Sequence, residues 1–211
     1  YQMQTDPNAF IAIAFEDDVE GLTSIWSKTS NIGSSLWLPN GTNPNSGIKS
    51  WKAANPGSQT DQLLTLKEPV LLSGDNPALS FWHDYSTEAN LDGGVVEIST
   101  DEGMTWEDLG PYLIFNPYPS QLANDPTNVL AGQNAFTGTS EGYIQTVANL
   151  VDFKGESVIL RFRFATNEGN GGQGWFVDDI QLFDDLTIII NEACLNSSIA
   201  DPVCHSVATI V

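Results

Sequence analysis

Two adjacent aspartates, Asp178 and Asp179, stand in the middle of the apolar run Trp175-Phe176-Val177-Asp178-Asp179-Ile180-Gln181-Leu182-Phe183. An ionised carboxylate buried there without a partner would cost several kcal/mol, so at least one of the pair must meet a cation, an arginine or several backbone N–H groups. The only arginines, Arg161 and Arg163, alternate with Val158, Leu160, Phe162 and Phe164. That spacing puts both positive charges on one face of a strand, where carboxylates of a neighbouring strand or loop are their expected partners.

Other strings look catalytic and fail on context. Gly138-Thr139-Ser140-Glu141-Gly142 matches G-x-S-x-G, but a nucleophile elbow needs a strand before it, a helix after it and a later histidine. Here strand-like sequence follows, and the only later histidine, His205, lies beside a cysteine. Gly169-Asn170-Gly171-Gly172-Gln173-Gly174 matches G-x-G-x-x-G, yet it opens a strand where a dinucleotide fingerprint must open a helix. No H-E-x-x-H zinc motif occurs. His83 and Asp84 are neighbours, and adjacent strand residues point to opposite faces, so His83 reads as a packed histidine. Nothing in the spacing of the acids selects a glycosidase pair.

The elements that must position these residues are strands. From Leu79 to Trp106 the chain reads as two strands and a polar connection, with Leu79, Phe81, His83 and Tyr85 on one face and Val96 and Ile98 resuming the alternation after an Asp92-Gly93-Gly94 turn. The second strand runs into Ser99-Thr100-Asp101-Glu102-Gly103-Met104-Thr105-Trp106, which matches the S-x-D-x-G-x-T-W Asp-box. Ser99, Asp101, Gly103 and Trp106 are its structural residues: the carboxylate accepts turn N–H groups, the glycine takes a positive φ and the indole folds back as an apolar staple. Leu63 to Leu72 reads as an edge strand leading to this central hairpin, and the Pro-bearing stretch from Pro111 to Gly142 as an irregular surface excursion.

With 211 residues, 6 Trp, 10 Phe and 5 Tyr, one large all-β domain has ample core material, and 18 Gly with 11 Pro supply its turns. A net charge of −20 repels nucleic acid and anionic membranes and attracts cations. No run approaches the roughly 18 apolar residues of a membrane span. The two cysteines, Cys194 and Cys204, suit a small disulfide loop in an oxidising compartment. Tyr1 begins without a signal peptide, as in a mature or excised segment.

Taken in order, FED near the start, LSFWHDYSTE, LDGGVVEISTDEGMTW, VILRFRF and GQGWFVDDIQLF resemble the MAM-like jelly-roll module of bacterial secreted proteins, including the C-terminal regions of immune-inhibitor-A-type metalloproteases. The resemblance covers roughly Phe15 to Phe183. It implies an antiparallel, concanavalin-like β-sandwich over residues 1–185 with a long irregular insertion, and a C-terminal extension or following module over 186–211. It also implies a structural calcium, with Glu16, Asp92, Asp178 and Asp179 matching the family's acids and Glu88 matching less closely; a hard cation wants six to eight oxygens of this kind. The expected role is a non-catalytic, secreted or cell-surface module serving adhesion, ligand binding or substrate targeting, with other domains of the same protein and a glycan or protein ligand as partners. The alternatives are a carbohydrate-binding module with Trp26, Trp37 or Trp51 as an exposed stacking platform, and an accessory domain of a secreted metalloprotease or glycoside hydrolase.

Overall fold

Period-two alternation of β-branched and aromatic residues with polar ones dictates strands buried on one face. The computed structural model describes residues 12–22, 24–186, 188–195 and 203–210. Its strands are β1 (Ala12–Asp17), β2 (Trp26–Ile32), β3 (Leu38–Asn40), β4 (Ser50–Asn55), β5 (Thr60–Leu66), β6 (Val70–Leu71), β7 (Ala78–Ser86), β8 (Gly93–Ser99), β9 (Glu107–Asp108), β10 (Leu113–Phe115), β11 (Ser120–Gln121), β12 (Asn134–Ala135), β13 (Ile144–Asn149), β14 (Ser157–Thr166), β15 (Gly172–Asp185), β16 (Ile188–Leu195) and β17 (Val203–Ile210).

Two antiparallel sheets make a sandwich. The seven-stranded sheet runs β10-β13-β7-β15-β4-β3, with β1 also on β15; the six-stranded sheet runs β2-β5-β14-β8-β9, with β6 also on β14. Inward residues of β7 and β15, among them Phe81, His83, Trp175 and Val177, pack against Leu64, Val96, Ile98, Phe162 and Phe164 of the facing sheet. Edge-to-face contacts hold the middle, with ring centroids 5.2 Å apart for Phe81 and Phe162 and 5.4 Å apart for Trp37 and Trp175. Among the described residues no helix is long and apolar enough to cross a membrane.

Several expectations change. β7 and β8 are not a hairpin: β7 pairs with β13 and β15, whereas β8 pairs with β14 and β9 in the other sheet. The turn ends at Asp92, and Gly93 and Gly94 open β8 without a positive φ. Strand β5 is interior, flanked by β2 and β14. The stretch from Pro111 to Gly142 is no simple surface excursion, because Leu122, Leu130, Ala135 and Phe136 are buried and Phe136 bonds back to Gly94 through both backbone groups. Apolar side chains spaced through a proline-bearing loop found a gap in the sandwich to fill.

The hairpin after β8 has the geometry its residues demand. Asp101 accepts from Ser99 Oγ at 2.8 Å, Thr105 N at 2.8 Å and Thr105 Oγ1 at 2.6 Å, and these bonds hold its carboxyl down to about 2. Gly103 adopts φ +86°, and Trp106 donates to its carbonyl at 3.0 Å. The Arg161 guanidinium lies 3.8 Å from the centroid of that indole.

Beyond the sandwich, β16 and β17 form an antiparallel ladder that sets Cys194 opposite Cys204. The expected disulfide is a matter of side chains outside the described residues, but directly opposed Cα atoms lie about 4.5 to 5.5 Å apart, inside the range a disulfide spans. Mass spectrometry without reductant is expected to find the two cysteines joined; two free thiols in protein from an oxidising compartment would refute the pairing.

Candidate functional site

Strand β7 presents two faces. Leu79, Phe81, His83 and Tyr85 point inward and are buried; Ser80, Trp82, Asp84 and Ser86 point to the outer face of the seven-stranded sheet, where Trp82 and Asp84 stay partly exposed. Register extends that face: Gln145 of β13 and Asp178 of β15 flank Trp82, Phe176 lies beside Asp84, and Lys52 of β4 lies beside Phe176. Asp84 accepts from Asn43 Nδ2 at 2.8 Å and Ser140 Oγ at 2.7 Å. The Lys52 ammonium sits 4.9 Å from the centroid of the Phe176 ring and covers it. Asn43, Lys52, Asp84, Gln173 and Phe176 line a concavity of about 340 Å³. It combines an acid, amides and an ammonium on a rigid sheet, with the Phe176 ring buried beneath Lys52, and such groups orient a polar ligand.

Sequence reasoning missed Trp82 while naming other tryptophans. Trp26, Trp37 and Trp51 are 1%, 0% and 2% exposed, so none is a platform on a loop face. Their indole N–H groups explain the burial: Trp26 and Trp51 both donate to Asp17 Oδ2, at 2.8 and 2.9 Å, and Trp37 donates to the Gln62 carbonyl at 3.3 Å. The signal for Trp82 was in the alternation already used, which puts a tryptophan on the face opposite the core residues.

The Asp178–Asp179 pair is satisfied by a loop. Asp178 Oδ2 accepts the Asn45 and Ser46 N–H groups at 2.8 and 3.2 Å, and Oδ1 accepts Asp179 N at 2.9 Å. Asp179 takes a positive φ of 46° in a bulge and bonds Ser46 Oγ and Asn45 Nδ2, each at 2.7 Å. Burial raises the Asp178 carboxyl to about 6, against the lowering pull of the Ser46 and Asn45 N–H groups. Glu20 caps the same loop by accepting Ile48 N at 2.6 Å and Lys49 N at 2.8 Å. Of the three partners that the acids required, backbone N–H groups are the ones present.

The five expected calcium ligands separate. Glu16 lies opposite Gln181 in the β1–β15 ladder, and Glu16, Asp17, Asp18 and Asp179 line a second concavity of about 350 Å³. Asp92 is elsewhere: it bonds Asn55, which pairs with Gly172, six residues along β15 from Asp178 and so about 20 Å away. Asp92 and Asp178 therefore do not share one ion. Glu88 sits in the same β7–β8 connection as Asp92. Among the described residues no three His, Cys, Asp or Glu side chains are grouped to hold a metal.

The arginines meet carboxylates of neighbouring strands, as their spacing demanded, though not Asp178 or Asp179. Arg163 clasps Asp61 through Nε and Nη2 at 2.8 and 2.9 Å, and Arg161 Nε donates to Glu97 at 2.5 Å. Ser140 is engaged too: its hydroxyl donates to Asp84 and accepts Tyr85 N at 2.9 Å, and strand β13 follows it.

His83 is fully buried, and its tautomer follows from its partners. Trp175 Nε1 can only donate, at 3.1 Å, so His83 Nδ1 is bare; His83 Nε2–H then donates to Thr146 Oγ1 at 2.8 Å, and Thr146 donates to the Asn116 carbonyl at 3.0 Å. Burial drives its ring down to about 3.

No protein-family model and no curated protein matches the chain. Solved structures similar to it include the glycoside hydrolase domain of Endo-D from Streptococcus pneumoniae, at 13% identity over 88% of this chain and 26% of that one, with a TM-score of 0.47. A cleaved adhesin domain of Lys-gingipain from Porphyromonas gingivalis is similar at 13% identity over 80% and 96% of the two chains, with a TM-score of 0.49. The carbohydrate-binding module TmCBM61, solved with β-1,4-galactotriose, is similar at 13% identity over 76% and 88%, with a TM-score of 0.45. This chain thus spans about a quarter of the Endo-D domain's length.

Proposed function

We propose that this chain is a non-catalytic binding module of a secreted or cell-surface protein, and that the outer face of the seven-stranded sheet around Trp82 and Asp84 takes a neutral glycan. The observation that carries the reading is a partly exposed tryptophan at the centre of a polar sheet face, flanked by Gln145 and followed by Asp84. An indole offers a flat apolar plane to the C–H face of a sugar, and the acid and amides beside it take hydroxyl groups. A net charge of −20 opposes polyanionic ligands and leaves neutral ones. The groups that could act as nucleophile or base are engaged in structure: Ser140 by Asp84 and Tyr85, His83 by Trp175 and Thr146. The role of such a module is adhesion, or targeting of companion domains to their substrate.

Affinity electrophoresis against neutral polysaccharides, followed by calorimetry on the best of them, tests this. Trp82→Ala is expected to weaken binding at least tenfold, a loss of about 1.4 kcal/mol, and Asp84→Asn to weaken it less. Binding that survives Trp82→Ala unchanged would place the ligand on another surface.

A further inference from the structure

We infer that Lys52 and Asp84 form a clamp for two neighbouring hydroxyl groups of one sugar ring, and that this clamp decides which neutral glycan the sheet face accepts. The inference rests on the glycan reading above and names the edge of the sugar that is read.

The two residues stand in one row across the outer face. Asp84 of β7 lies opposite Phe176 of β15, and Phe176 lies opposite Lys52 of β4, so their Cα atoms are about 10 Å apart with one strand between them. Opposed residues of neighbouring strands share a face, and both side chains line the concavity of about 340 Å³ while staying partly exposed. In a chain with 7 basic and 27 acidic residues, an ammonium and a carboxylate on one cavity are expected to close on each other. They do not. Among the described residues neither forms an ion pair, although Lys49, Lys154, Arg161 and Arg163 all do.

Each charge is held back by other partners. Asp84 Oδ2 accepts Asn43 Nδ2 at 2.8 Å and Oδ1 accepts Ser140 Oγ at 2.7 Å. Those donors are fixed in turn: the Asn43 carbonyl accepts Ser50 Oγ at 2.8 Å and the Tyr143 hydroxyl at 2.7 Å, and Ser140 Oγ accepts Tyr85 N at 2.9 Å. Asp84 is thereby kept from swinging toward Lys52, yet each of its oxygens can accept a second bond. The ammonium is seated over the Phe176 ring, an attraction that draws on its charge and leaves N–H donors free. A fixed acceptor and a fixed donor thus face one gap. Two hydroxyls on adjacent ring carbons fill it, one donating to Asp84 and the other accepting from Lys52. An anionic substituent would suit Lys52 but meet Asp84 as a like charge, so the split pair selects a neutral ring. Trp82 lies two positions from Asp84 on the same strand face, about 7 Å away, so a ring stacked on the indole presents its edge to the clamp.

Methyl pyranosides of the gluco, galacto, manno and xylo series, with the monodeoxy derivatives of whichever binds best, are titrated into the full chain and followed by NMR. Removing either hydroxyl of one adjacent pair is expected to weaken binding about tenfold, since it strands a charged partner. Lys52→Met keeps a side chain over Phe176 and drops the ammonium. It is expected to lose about tenfold for the parent pyranoside and to bind the matching deoxy derivative equally well, a loss of discrimination that a merely structural role would not produce. Raising the salt concentration is expected to change binding little, as befits an uncharged ligand. If Lys52→Met lowers the melting temperature, Lys52→Gln repeats the measurement. The clamp is overturned, and the glycan reading stands, if Lys52→Met binds like the wild type or still rejects every deoxy derivative while Trp82→Ala loses binding. If no pyranoside binds the wild type, or Trp82→Ala binds unchanged, the glycan reading fails and the clamp fails with it.

Discussion

Lowering the pH from 6.5 to 5 is expected to remove about 2 kcal/mol of folding free energy through His83 alone. The ring titrates near 6.5 in the unfolded chain and is driven to about 3 in the fold by burial. Between those values the unfolded state binds a proton that the folded state refuses, so this contribution is fully present above pH 6.5 and is lost as pH falls toward 3, at about 1.4 kcal/mol per pH unit. Geometry gives the same sign: Nδ1 already accepts the Trp175 indole N–H, and a proton there would set two donors against each other. For a chain of this size the loss corresponds to a fall of roughly 4 to 8 °C in melting temperature. Carboxylate titration adds its own slope, so the comparison is with His83→Gln, which is less stable at pH 7 and is expected to lack the histidine part of the slope. Proton NMR of the His83 ring checks the cause; a midpoint near 6.5 in the folded protein would refute it.

Gly94→Ala is expected to destabilise the fold by about 3 kcal/mol, at the upper end of ordinary overpacking. A Cβ at position 94 would fall 2.2 and 2.3 Å from two carbons of the Trp175 ring. That ring has nowhere to go: it lies among Trp37, Phe136, Phe162 and Phe164, with centroids 5.4 to 6.4 Å away, and its N–H is committed to His83. The backbone of Gly94 is equally tied, exchanging bonds of 3.0 and 2.9 Å with Phe136. Chemical denaturation measures the loss. In a double-mutant cycle with Trp175→Leu, the pair is expected to be at least 1 kcal/mol less damaging than the sum of the single changes, because the smaller side chain vacates the collision. Additive losses would mean that Trp175 is not what excludes a side chain.

Much of the candidate site could be read from residue order, and its failures share a cause. Alternation in Leu79–Tyr85 and Val158–Phe164 correctly divided inward from outward residues, and with that division Trp82, Arg161 and Arg163 were all on outer faces. Asp101 and its hairpin close through bonds no more than four residues apart, so the local string suffices. By contrast, Asp178 is satisfied by the N–H groups of Asn45 and Ser46, 133 and 132 positions away, and no local pattern carries such a partner. Trp26 and Trp51 were candidates for an exposed stacking platform, but Asp17, distant from Trp51 in the chain, gathers both indoles.

By itself, then, the order of residues determined the buried and exposed faces of β7 and β14 and the Asp101 turn, because side-chain alternation and turn chemistry are properties of a few consecutive residues. Only the tertiary structure decided that β7 and β8 lie in opposite sheets, that three tryptophans are internal, that Glu16 and Asp92 lie far apart along β15, and that Asn55 and Asn167 both close on Asp92. Those outcomes depend on which distant segments close on one another, and that is set by the packing of two whole sheets and not by any short stretch of chain.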